Sequence, residues 1–459
     1  MNTFDLSALS TGGAILLIAF ILAVLAFEFV NGFHDTANAV ATVIYTHSLK
    51  PNVAVVWSGI WNFIGVIRGG IGVAVGIIVL LPVNDMMNMS IGESGSIIAA
   101  VLLAAIFWNL GTWYLGIPCS SSHTLIGALI GVGIVFFWQH GGEGVNWGKA
   151  RDIAISLLFS PLFGCFSALF LMWFLSKLVK NKAIFQEPEG GKAPPLWIRI
   201  ILILTCTAVS YSHGSNDGQK GVGLFMIVLM IFLPAQFALH KSFNADVVFS
   251  KISKIEKTVS ATEARIGENQ AAEEVLESIG KLKPMLTAST INAPLIRKEL
   301  QRMNKFLKET TGDKPFFNAQ DKEEIKASVK NVATYYEFAP FWVIFLISLS
   351  LGIGTMVGWK RIVVTIGEKI GKSHLTYAQG ATAEIIAAFT ITLSTYFHAP
   401  VSTTHVLSSA VAGTMIAKDG TKNLQRSTLI NILTAWVLTL PVTIVVSGGL
   451  YYLFSAIFG

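Results

Sequence analysis

Long apolar runs alternate with short polar segments along almost the whole chain. About 20 apolar residues can cross a bilayer as one helix, and several runs are longer than one crossing requires. The pattern therefore predicts an all-α, polytopic membrane protein with about 10–12 transmembrane helices. The runs lie near 13–33, 52–81, 95–116, 124–139, 150–180, 196–212, 221–239, 337–358, 377–398 and 427–457.

A similar unusual polar stretch follows a long apolar run in each half. PCSSSH at 118–123 in the first half matches PVSTTH at 400–405 in the second. Backbone that leaves the helix at membrane depth is tolerated only where it is buried in protein or lines a water-filled cavity. Interrupted segments at matching places in two halves indicate the binding site of a transporter.

A second duplicated motif surrounds an aspartate in each half. GFHDTANAV at 32–40 matches GSNDGQKGV at 214–222, which aligns Asp35 with Asp217. Asp35 lies 88 positions before the histidine of its hydroxyl motif, and Asp217 lies 188 before the histidine of its own, a surplus of 100. A charged segment at about 240–336 accounts for this surplus. The chain is thus predicted to be an internal duplication with one insertion.

The duplication divides the chain into parts. Residues 1–180 are the first transmembrane repeat, 181–195 a polar linker, 196–239 the start of the second repeat and 337–459 its remainder. The insertion, 240–336, is dense in Lys and Glu and carries apolar residues at helical spacing, which predicts a soluble helical hairpin or small bundle. A solvated spacer without ligand chemistry is its simplest interpretation.

The distribution of basic residues gives each segment an expected side of the membrane. The Lys-bearing segments 177–195 and 240–336 are expected in the cytoplasm. The N-terminal residues 1–12 and the loop 82–94 lack Lys and Arg and are expected outside. The rule does not decide whether the two halves are inverted relative to each other.

The composition agrees with an integral membrane protein. The chain is 53% hydrophobic and only 13% charged, with a mean hydropathy of +0.62, and the lipid bilayer is its expected partner. The net charge of +6 gives no sign of a nucleic-acid partner. The three cysteines lie in or beside apolar runs and are expected to pack as free thiols. The oligomeric state stays open, a homodimer included.

Asp35 and Asp217 are the first candidates for chemistry. An ionisable side chain within a membrane span is costly and indicates a functional site. With Asn38 and Asn216 nearby, the two acids offer hard oxygen ligands for Na⁺ or carboxylates that bind a proton. Capping of a broken helix is the structural alternative, because Asp and Asn are favoured N-caps.

The hydroxyl motifs supply a candidate anion site. If a helix begins at each motif, its free N–H groups and its dipole favour an anion there. Hydroxyls that bond back within their own helices are the alternative. Lys220 either neutralises the bound anion or pairs with an acid. The predicted substrate-binding residues are Ser120, Ser121, Ser122, Thr124, Ser402, Thr403, Thr404, Gln219 and Lys220.

Four more ionisable residues lie in the apolar runs or in the hydroxyl motifs. His123 and His405 follow the hydroxyls by one position, and we expect each to bond a neighbouring carbonyl in a structural role. Glu28 and Glu384 lie inside predicted spans and are candidate proton carriers.

The motifs carry a family resemblance. GFHDTANAVAT and GSNDGQKGVGL, followed by GIPCSSSHTLIGALIG and HAPVSTTHVLSSAVAG, resemble the inorganic phosphate transporter (PiT) family and most of all its bacterial low-affinity Pit permeases. The resemblance covers nearly all of the chain outside the insertion. It implies an inverted-repeat fold with two re-entrant hairpins, phosphate at the centre, and cation-driven uptake across the bacterial inner membrane. Asp35 and Asp217 fall on the signature acids.

One departure from the family signature bears on the coupling ion. The signature has Asn before the Asp in both repeats, but here His34 precedes Asp35. An imidazole exchanges a proton near neutral pH and is a poor ligand for Na⁺. We therefore expect phosphate uptake by symport with H⁺, with Na⁺ as the alternative. The resemblance also implies transport of a neutral complex of phosphate with a divalent metal. The predicted coupling-ion residues are His34, Asp35, Asn38, Asn216 and Asp217.

Other functional classes fit the sequence less well. A channel needs a continuous polar pore, whereas two half-sites on a repeat indicate alternating access. No nucleophile–base arrangement or metal triad is evident, so neither an enzyme nor a resident metal or other cofactor is expected. A carrier of sulfate or another oxyanion is the nearest alternative.

Overall fold

The computed structural model describes residues 5–188, 191–267, 269–310, 316–358, 360, 362–363 and 370–458. These residues form α-helices, two short 3₁₀ turns and no β-strand, which confirms the all-α prediction. Parts of the predicted linker (189–190) and of the predicted insertion (268 and 311–315) lie outside the described residues.

The helices are numbered here in chain order. In the first half they are α1 (Thr11–Tyr45), α2 (Pro51–Arg68), α3 (Gly72–Ile78), α4 (Val83–Met86), α5 (Ile91–Tyr114), α6 (Ser121–His140) and α7 (Trp147–Leu178). In the second half they are α8 (Leu196–Phe232), α9 (Pro234–Phe237), α10 (Ala245–Ile266), α11 (Gln270–Thr287), α12 (Ala293–Thr310), α13 (Ala319–Ala333), α14 (Phe341–Thr355), α15 (Tyr377–Tyr396), α16 (Thr403–Asp419) and α17 (Arg426–Phe458).

Six helices among the described residues are long and apolar enough to cross a membrane, namely α1, α5, α6, α7, α8 and α17. Helices α2 and α3 are bent by 74° at a short break and together could form a seventh span. This number is smaller than the predicted 10–12. One reason is that the runs 196–212 and 221–239, predicted as two spans, contribute to the single helix α8, which ends at Phe232.

Helices α1 and α8 continue through the two aspartate motifs. Asp35 lies ten residues before the end of α1, and Asp217 lies 15 residues before the end of α8. A continuous helix satisfies its own backbone groups, so these polar side chains enter the protein interior without exposing unpaired amides. The alternative in which the two acids cap broken helices is therefore wrong.

Helices of one half pack against helices of the other half. The order α5, α6, α7 in the first half matches the order α15, α16, α17 in the second. The helix that follows each hydroxyl motif packs against the last helix of the other half, since α6 packs on α17 and α16 packs on α7. Each candidate anion-binding helix is thus held in place by the opposite half.

Two aligned glycines allow the aspartate helices to approach the other half closely. A Cβ atom at Gly32 of α1 would overlap the carbonyl oxygen of Leu351 in α14. A Cβ atom at Gly214 of α8 would overlap the carbonyl oxygen of Asn62 in α2. Only glycine fits where two helix backbones approach this closely. This explains why both duplicated motifs have a glycine at the same aligned position.

The chain divides into two compact units. One consists of Met1–Gly13, Val83–Met89 and Leu229–Phe338, and the other consists of Ala14–Pro82, Ser90–Val228 and Ala339–Gly459. The predicted insertion lies in the first unit, where it forms helices α10 to α13. The apolar residues of α10 that recur at helical spacing, Ile252, Ile255 and Val259, are buried there.

A buried arginine holds the two ends of the insertion together. The Arg297 guanidinium donates to the carbonyl oxygens of Ala238 (3.2 Å) and Tyr336 (2.6 Å). Burial lowers the pKa of Arg297 to about 10, so the side chain stays charged at neutral pH. The backbone N–H of His240 also donates to the carbonyl oxygen of Tyr335 at 2.7 Å. The insertion therefore starts and ends at neighbouring points.

The same unit corrects the expected topology. Lys298 of the insertion lies 2.6 Å from Asp85, and Gln301 accepts a 2.7 Å hydrogen bond from Asn84. The loop 82–94 and the insertion must therefore lie on one side of the membrane, and the expectation of opposite sides is wrong. The charge rule was applied to each segment alone, whereas the acid of one segment pairs with the base of the other.

The glycine crossing predicts a stability difference between two substitutions. Gly214→Ala places a Cβ against backbone that cannot turn away, and we expect a loss of about 1–3 kcal/mol in stability, as in other overpacked sites. Gly111→Ala in α5 is the control, because a Cβ there has no neighbour within 4 Å. Thermal unfolding of the detergent-solubilised protein measures both. Equal unfolding temperatures for the two variants would contradict the close crossing.

The adjacent ends of the insertion predict that it can be removed. Replacing 240–336 by a short Gly/Ser bridge should leave a folded membrane core, because the cost of loop closure depends only weakly on length. Size-exclusion chromatography and phosphate uptake by the parent and the deletion variant measure the outcome. A variant that inserts correctly but has lost the uptake of the parent would show that the insertion belongs to the transport mechanism.

Candidate functional site

Each hydroxyl motif ends in a capped helix start. Ser120 precedes α6 and accepts a 3.2 Å hydrogen bond from the backbone N–H of His123. Ser402 precedes α16 and accepts the equivalent bond from His405 at 3.1 Å. A cap satisfies one of the free donors in the first turn. The other first-turn donors and the helix dipole make both starts favourable places for an anion.

The two helix starts lie against each other in the protein core. The Ser122 hydroxyl of α6 donates to the carbonyl oxygen of Val401, just before α16, at 2.7 Å. The ring centroids of His123 and His405 are 4.5 Å apart, and Trp436 stacks on His405 at 3.8 Å. The two motifs, far apart in sequence, therefore form one site.

The expected partners of the two histidines differ from those in the structure. His123 pairs through Nδ1 with the Ser120 hydroxyl at 2.8 Å, and His405 packs between two aromatic rings. The prediction that each bonds a neighbouring carbonyl is wrong, because the capping serine lies beside the His123 ring and two aromatic rings flank His405.

Asp35 receives hydrogen bonds from both hydroxyl motifs. Ser121 donates to its Oδ2 at 3.0 Å and Thr404 donates to its Oδ1 at 2.6 Å. Asn38, one turn further along α1, donates to the same Oδ1 at 3.3 Å and to the Thr404 hydroxyl at 3.0 Å. The carboxylate on α1 therefore joins the starts of α6 and α16.

Asp217 is paired with a lysine. The Lys220 ammonium lies 2.7 Å from Asp217 Oδ2 and also donates to the Ser122 hydroxyl. Both charged residues are fully buried, with 2% and 0% of their surface exposed. Of the two roles that the sequence leaves open for Lys220, the structure shows the one in which it pairs with an acid.

His213 lies between the two acids. Its Nε2 is 3.7 Å from Asp35 Oδ2 and 3.6 Å from Asp217 Oδ2. Its Nδ1 lies 2.5 Å from Asn62 Oδ1. The amide nitrogen of Asn62 donates to the Ser58 carbonyl at 3.0 Å, so its oxygen faces His213 and Nδ1 carries the proton. The lone pair of Nε2 is left for a proton or a cation between the carboxylates.

His213 was not among the site residues predicted from the sequence. Its spacing contains a usable signal, because His213 lies four residues before Asp217 and shares one helix face with it. The contact with Asp35 has no such signal, since it joins two different helices. The structure thereby brings ligand atoms of Asp35, His213 and Asp217 within 4.8 Å of one another, a spacing suited to a cation. The sequence predicted no metal site.

His34 faces Asp35 from the preceding position of α1. Its Nδ1 lies 3.4 Å from Asp35 Oδ1, and its Nε2 lies 3.3 Å from the Thr112 hydroxyl. That hydroxyl donates to the Trp108 carbonyl at 2.9 Å, so it accepts the hydrogen of Nε2. Nδ1 then faces a carboxylate oxygen of Asp35. The predicted role of His34 and Asp35 in binding the coupling ion stays a prediction.

Gln219 and Thr124 lie outside this cluster. The Gln219 amide donates to the Gly69 carbonyl at 2.7 Å and accepts from the Val73 N–H at 2.8 Å, which holds the break between α2 and α3. The Thr124 hydroxyl donates to the Ser120 carbonyl at 2.9 Å, within its own helix. Both side chains support the backbone near the site.

Asn216 supports the second hydroxyl motif. Its amide nitrogen donates to the carbonyl of Ala399 at 3.1 Å, and its oxygen accepts from the N–H of Val401 at 3.3 Å. Asn216 thus fixes the chain just before α16, whereas His34 at the aligned position of α1 contacts the neighbouring acid. The predicted ion-binding role of Asn216 stays a prediction.

Several buried polar atoms at the site have no hydrogen-bond partner among the described residues. They include the Thr403 hydroxyl, the Asn38 amide oxygen and Oδ1 of Asp217. A buried polar atom without a partner is costly and needs an explanation. All three lie on residues that the sequence predicted to bind substrate or ion, and a ligand would satisfy them.

The two buried glutamates lie on different helices. Glu28 of α1 accepts a 3.3 Å hydrogen bond from Asn31, and Glu384 of α15 accepts one from Thr205. Each is fully buried, and one oxygen of each lacks a partner among the described residues. Their role as proton carriers stays a prediction.

Comparisons with known proteins agree with the resemblance found in the motifs. The profile described as the phosphate transporter family matches residues 31–447. The low-affinity inorganic phosphate transporter PitA of Escherichia coli (strain K12) is 40% identical over 486 aligned residues, which cover 96% of this chain and 97% of that protein. A "Probable low-affinity inorganic phosphate transporter" of Bacillus subtilis (strain 168) is 30% identical over 445, covering 97% and 98%.

A solved structure shares the fold. The chain titled "The sodium-dependent phosphate transporter" superposes with a TM-score of 0.56 at 22% identity, over 96% of this chain and 100% of that one. At this identity the likeness concerns the fold alone.

The family match covers both aspartate motifs, both hydroxyl motifs and the segment between the halves. Together with the six long apolar helices, it confirms a multi-pass protein of the bacterial plasma membrane. The chain belongs to the phosphate transporter family.

Proposed function

We propose that this chain imports inorganic phosphate by symport with protons. One observation carries the proposal. Two hydroxyl-lined helix starts meet at a buried carboxylate, Asp35, which His213 connects to a second buried carboxylate, Asp217. The arrangement combines donors for an oxyanion with groups that exchange a proton in one enclosed site.

The donors of the site suit a tetrahedral oxyanion. The first turns of α6 and α16 present N–H groups and hydroxyls, and the positive ends of both helix dipoles favour negative charge. The hydroxyls of Ser121 and Thr404 are held by Asp35 and can turn to an anion when that carboxylate accepts a proton or cation. The Thr403 hydroxyl has no hydrogen-bond partner among the described residues and is free to donate to an anion.

The carboxylates favour phosphate over sulfate. Inorganic phosphate carries at least one proton at neutral pH, because its second ionisation lies near neutral pH and its third lies far above it. That proton can be donated to Asp35 or Asp217, whereas sulfate has none to donate and would be repelled. A site built to accept a hydrogen bond rejects an analogue that lacks it by large factors.

The imidazoles favour the proton as the coupling ion. His34 and Asp35 are placed to share a proton, and the bare Nε2 of His213 faces both acids. Protonation of this cluster supplies positive charge when a phosphate dianion enters. Na⁺ prefers oxygen ligands, and two of the groups closest to Asp35 offer nitrogen instead. Coupling to Na⁺ is the alternative outcome of the experiments below.

The same site offers ligands for a divalent metal that would be transported together with phosphate. Ligand atoms of Asp35, His213 and Asp217 lie within 4.8 Å of one another, and a carboxylate–imidazole set suits metals such as Mn²⁺ or Zn²⁺ as well as Mg²⁺. The metal would be cargo and not a resident cofactor. Uptake assays with and without the divalent cation distinguish the neutral complex from free phosphate.

The coupling proposal predicts which gradient drives uptake. In proteoliposomes, phosphate uptake should follow an imposed proton gradient and need no Na⁺. Asp35→Asn should abolish driven uptake, because the acid can no longer take up a proton, while Asp152→Asn in an exposed part of α7 should behave like the parent. His34→Asn should flatten the pH profile of uptake more than it weakens phosphate binding. Uptake that requires Na⁺ at constant pH, or an unchanged pH profile for His34→Asn, would contradict proton coupling.

The anion-site proposal predicts a loss of phosphate affinity on removing hydroxyls. Ser121→Ala and Thr403→Ala each remove one donor, and a hydrogen bond to a charged ligand is worth about 1.5–3 kcal/mol, or roughly a tenfold change or more. Isothermal titration with phosphate and with sulfate measures affinity and selectivity. Ser409→Ala is the control, because its hydroxyl bonds within α16 to Val406. Parent-like phosphate affinity in both variants would place the anion elsewhere.

A further inference from the structure

The duplicated motifs make the same pair of contacts twice. Asn38 lies three residues after Asp35 and donates to that acid and to Thr404 at 3.3 and 3.0 Å. Lys220 lies three residues after Asp217, contacts it at 2.7 Å and donates to the Ser122 hydroxyl. Thr404 and Ser122 are themselves aligned, since each is the second residue after the serine that caps its helix.

The two copies differ by one positive charge. In the first half a neutral amide occupies the position beside the acid, and the Asn38 oxygen has no partner among the described residues. In the second half an ammonium occupies that position. A buried carboxylate without a counter-charge is strongly unfavourable. Asp35 must therefore obtain its positive charge from a mobile ion or a protonated imidazole, whereas Asp217 carries a partner on its own helix.

Besides Asp217 Oδ2 and the Ser122 hydroxyl, which contact the ammonium, two more buried oxygen atoms belong to residues that neighbour Lys220 or pack beside it. Oδ1 of Asp217 and Oε1 of Glu28 are buried without a hydrogen-bond partner among the described residues. Glu28 packs directly against Gly221, the residue after Lys220. Carboxylate and hydroxyl oxygens are the ligands that a small hard cation takes in place of water. The position held by Lys220 Nζ thus has the surroundings of a cation site.

We propose that the Lys220 ammonium is a tethered cation that fills the cation site of the second half. This role rests on the proposed transport function. It assigns one of the two symmetric cation sites to a side chain of the protein. The second half then needs no mobile cation of its own, and coupling is confined to the Asp35 side. Without the ammonium, the vacated site would bind a small monovalent cation through oxygen ligands.

Substitution by asparagine restores the symmetry and tests the proposal. Lys220→Asn removes the charge and gives the second motif the amide that Asn38 gives the first. Thermal unfolding of the purified full-length protein is measured in NaCl and in choline chloride at equal ionic strength and pH. The difference in Tm between the two salts reports the binding of Na⁺. We expect Lys220→Asn to gain a saturable stabilisation by Na⁺, a rise of several degrees in Tm beyond any response of the parent.

Two control variants locate the gained response. Lys220→Arg keeps a tethered positive charge and should gain no response to Na⁺. The double variant Lys220→Asn with Asp217→Asn removes the acid and should lose the response. If Lys220→Asn is poorly folded, Lys220→Gln provides the same loss of charge with a longer amide. A folded asparagine or glutamine variant that responds to Na⁺ like the parent overturns the proposal, as does an equal gain in Lys220→Arg.

Transport provides a second measurement. In proteoliposomes at constant pH, phosphate uptake by Lys220→Asn should become stimulated by Na⁺, and uptake by the parent should not. Uptake by the variant that stays independent of Na⁺ counts against the proposal. A parent that takes up no phosphate would refute the proposed function, and the unfolding measurements would still decide the role of Lys220.

Discussion

The burial of two carboxylates at the centre of the protein is the constraint on which the other features depend. Asp35 and Asp217 are both almost inaccessible to solvent, and an unpaired charge at such a depth is strongly unfavourable. Among the described residues, hydroxyls, an amide and imidazoles lie beside Asp35. Asp217 contacts the ammonium of Lys220, three residues further along the same helix.

The packing of the helices follows from the need to bring those partners together. Hydroxyls from two helix starts reach one carboxylate because each start is held by the last helix of the opposite half. The aspartate helices approach the other half closely because aligned glycines, Gly32 and Gly214, leave room for backbone contact. Loss of either close approach would move a carboxylate away from its donors, so packing and chemistry are linked at these positions.

The two halves differ in the ionisable residue that lies beside the acid. A duplicated protein could use two equivalent ion sites, but here one half has His34 beside its acid and the other has Lys220. An imidazole exchanges its proton readily near neutral pH, whereas an ammonium ordinarily does so only at much higher pH. In the proposed function, coupling therefore belongs to the first half and charge neutralisation to the second.

The sequence by itself predicted the helical membrane class, the duplication, the insertion and most residues of the candidate site. It could do so because apolar runs and repeated motifs are local features of the chain. Only the tertiary structure decided which of those residues meet. It continued α1 and α8 through the acids, placed His213 between Asp35 and Asp217, and moved Gln219 to a backbone support. It also set Asp85 beside Lys298, which puts two segments expected on opposite sides of the membrane on one side. Contacts between residues more than 150 positions apart depend on how helices cross, and crossing geometry is a property of packed surfaces that no single segment contains.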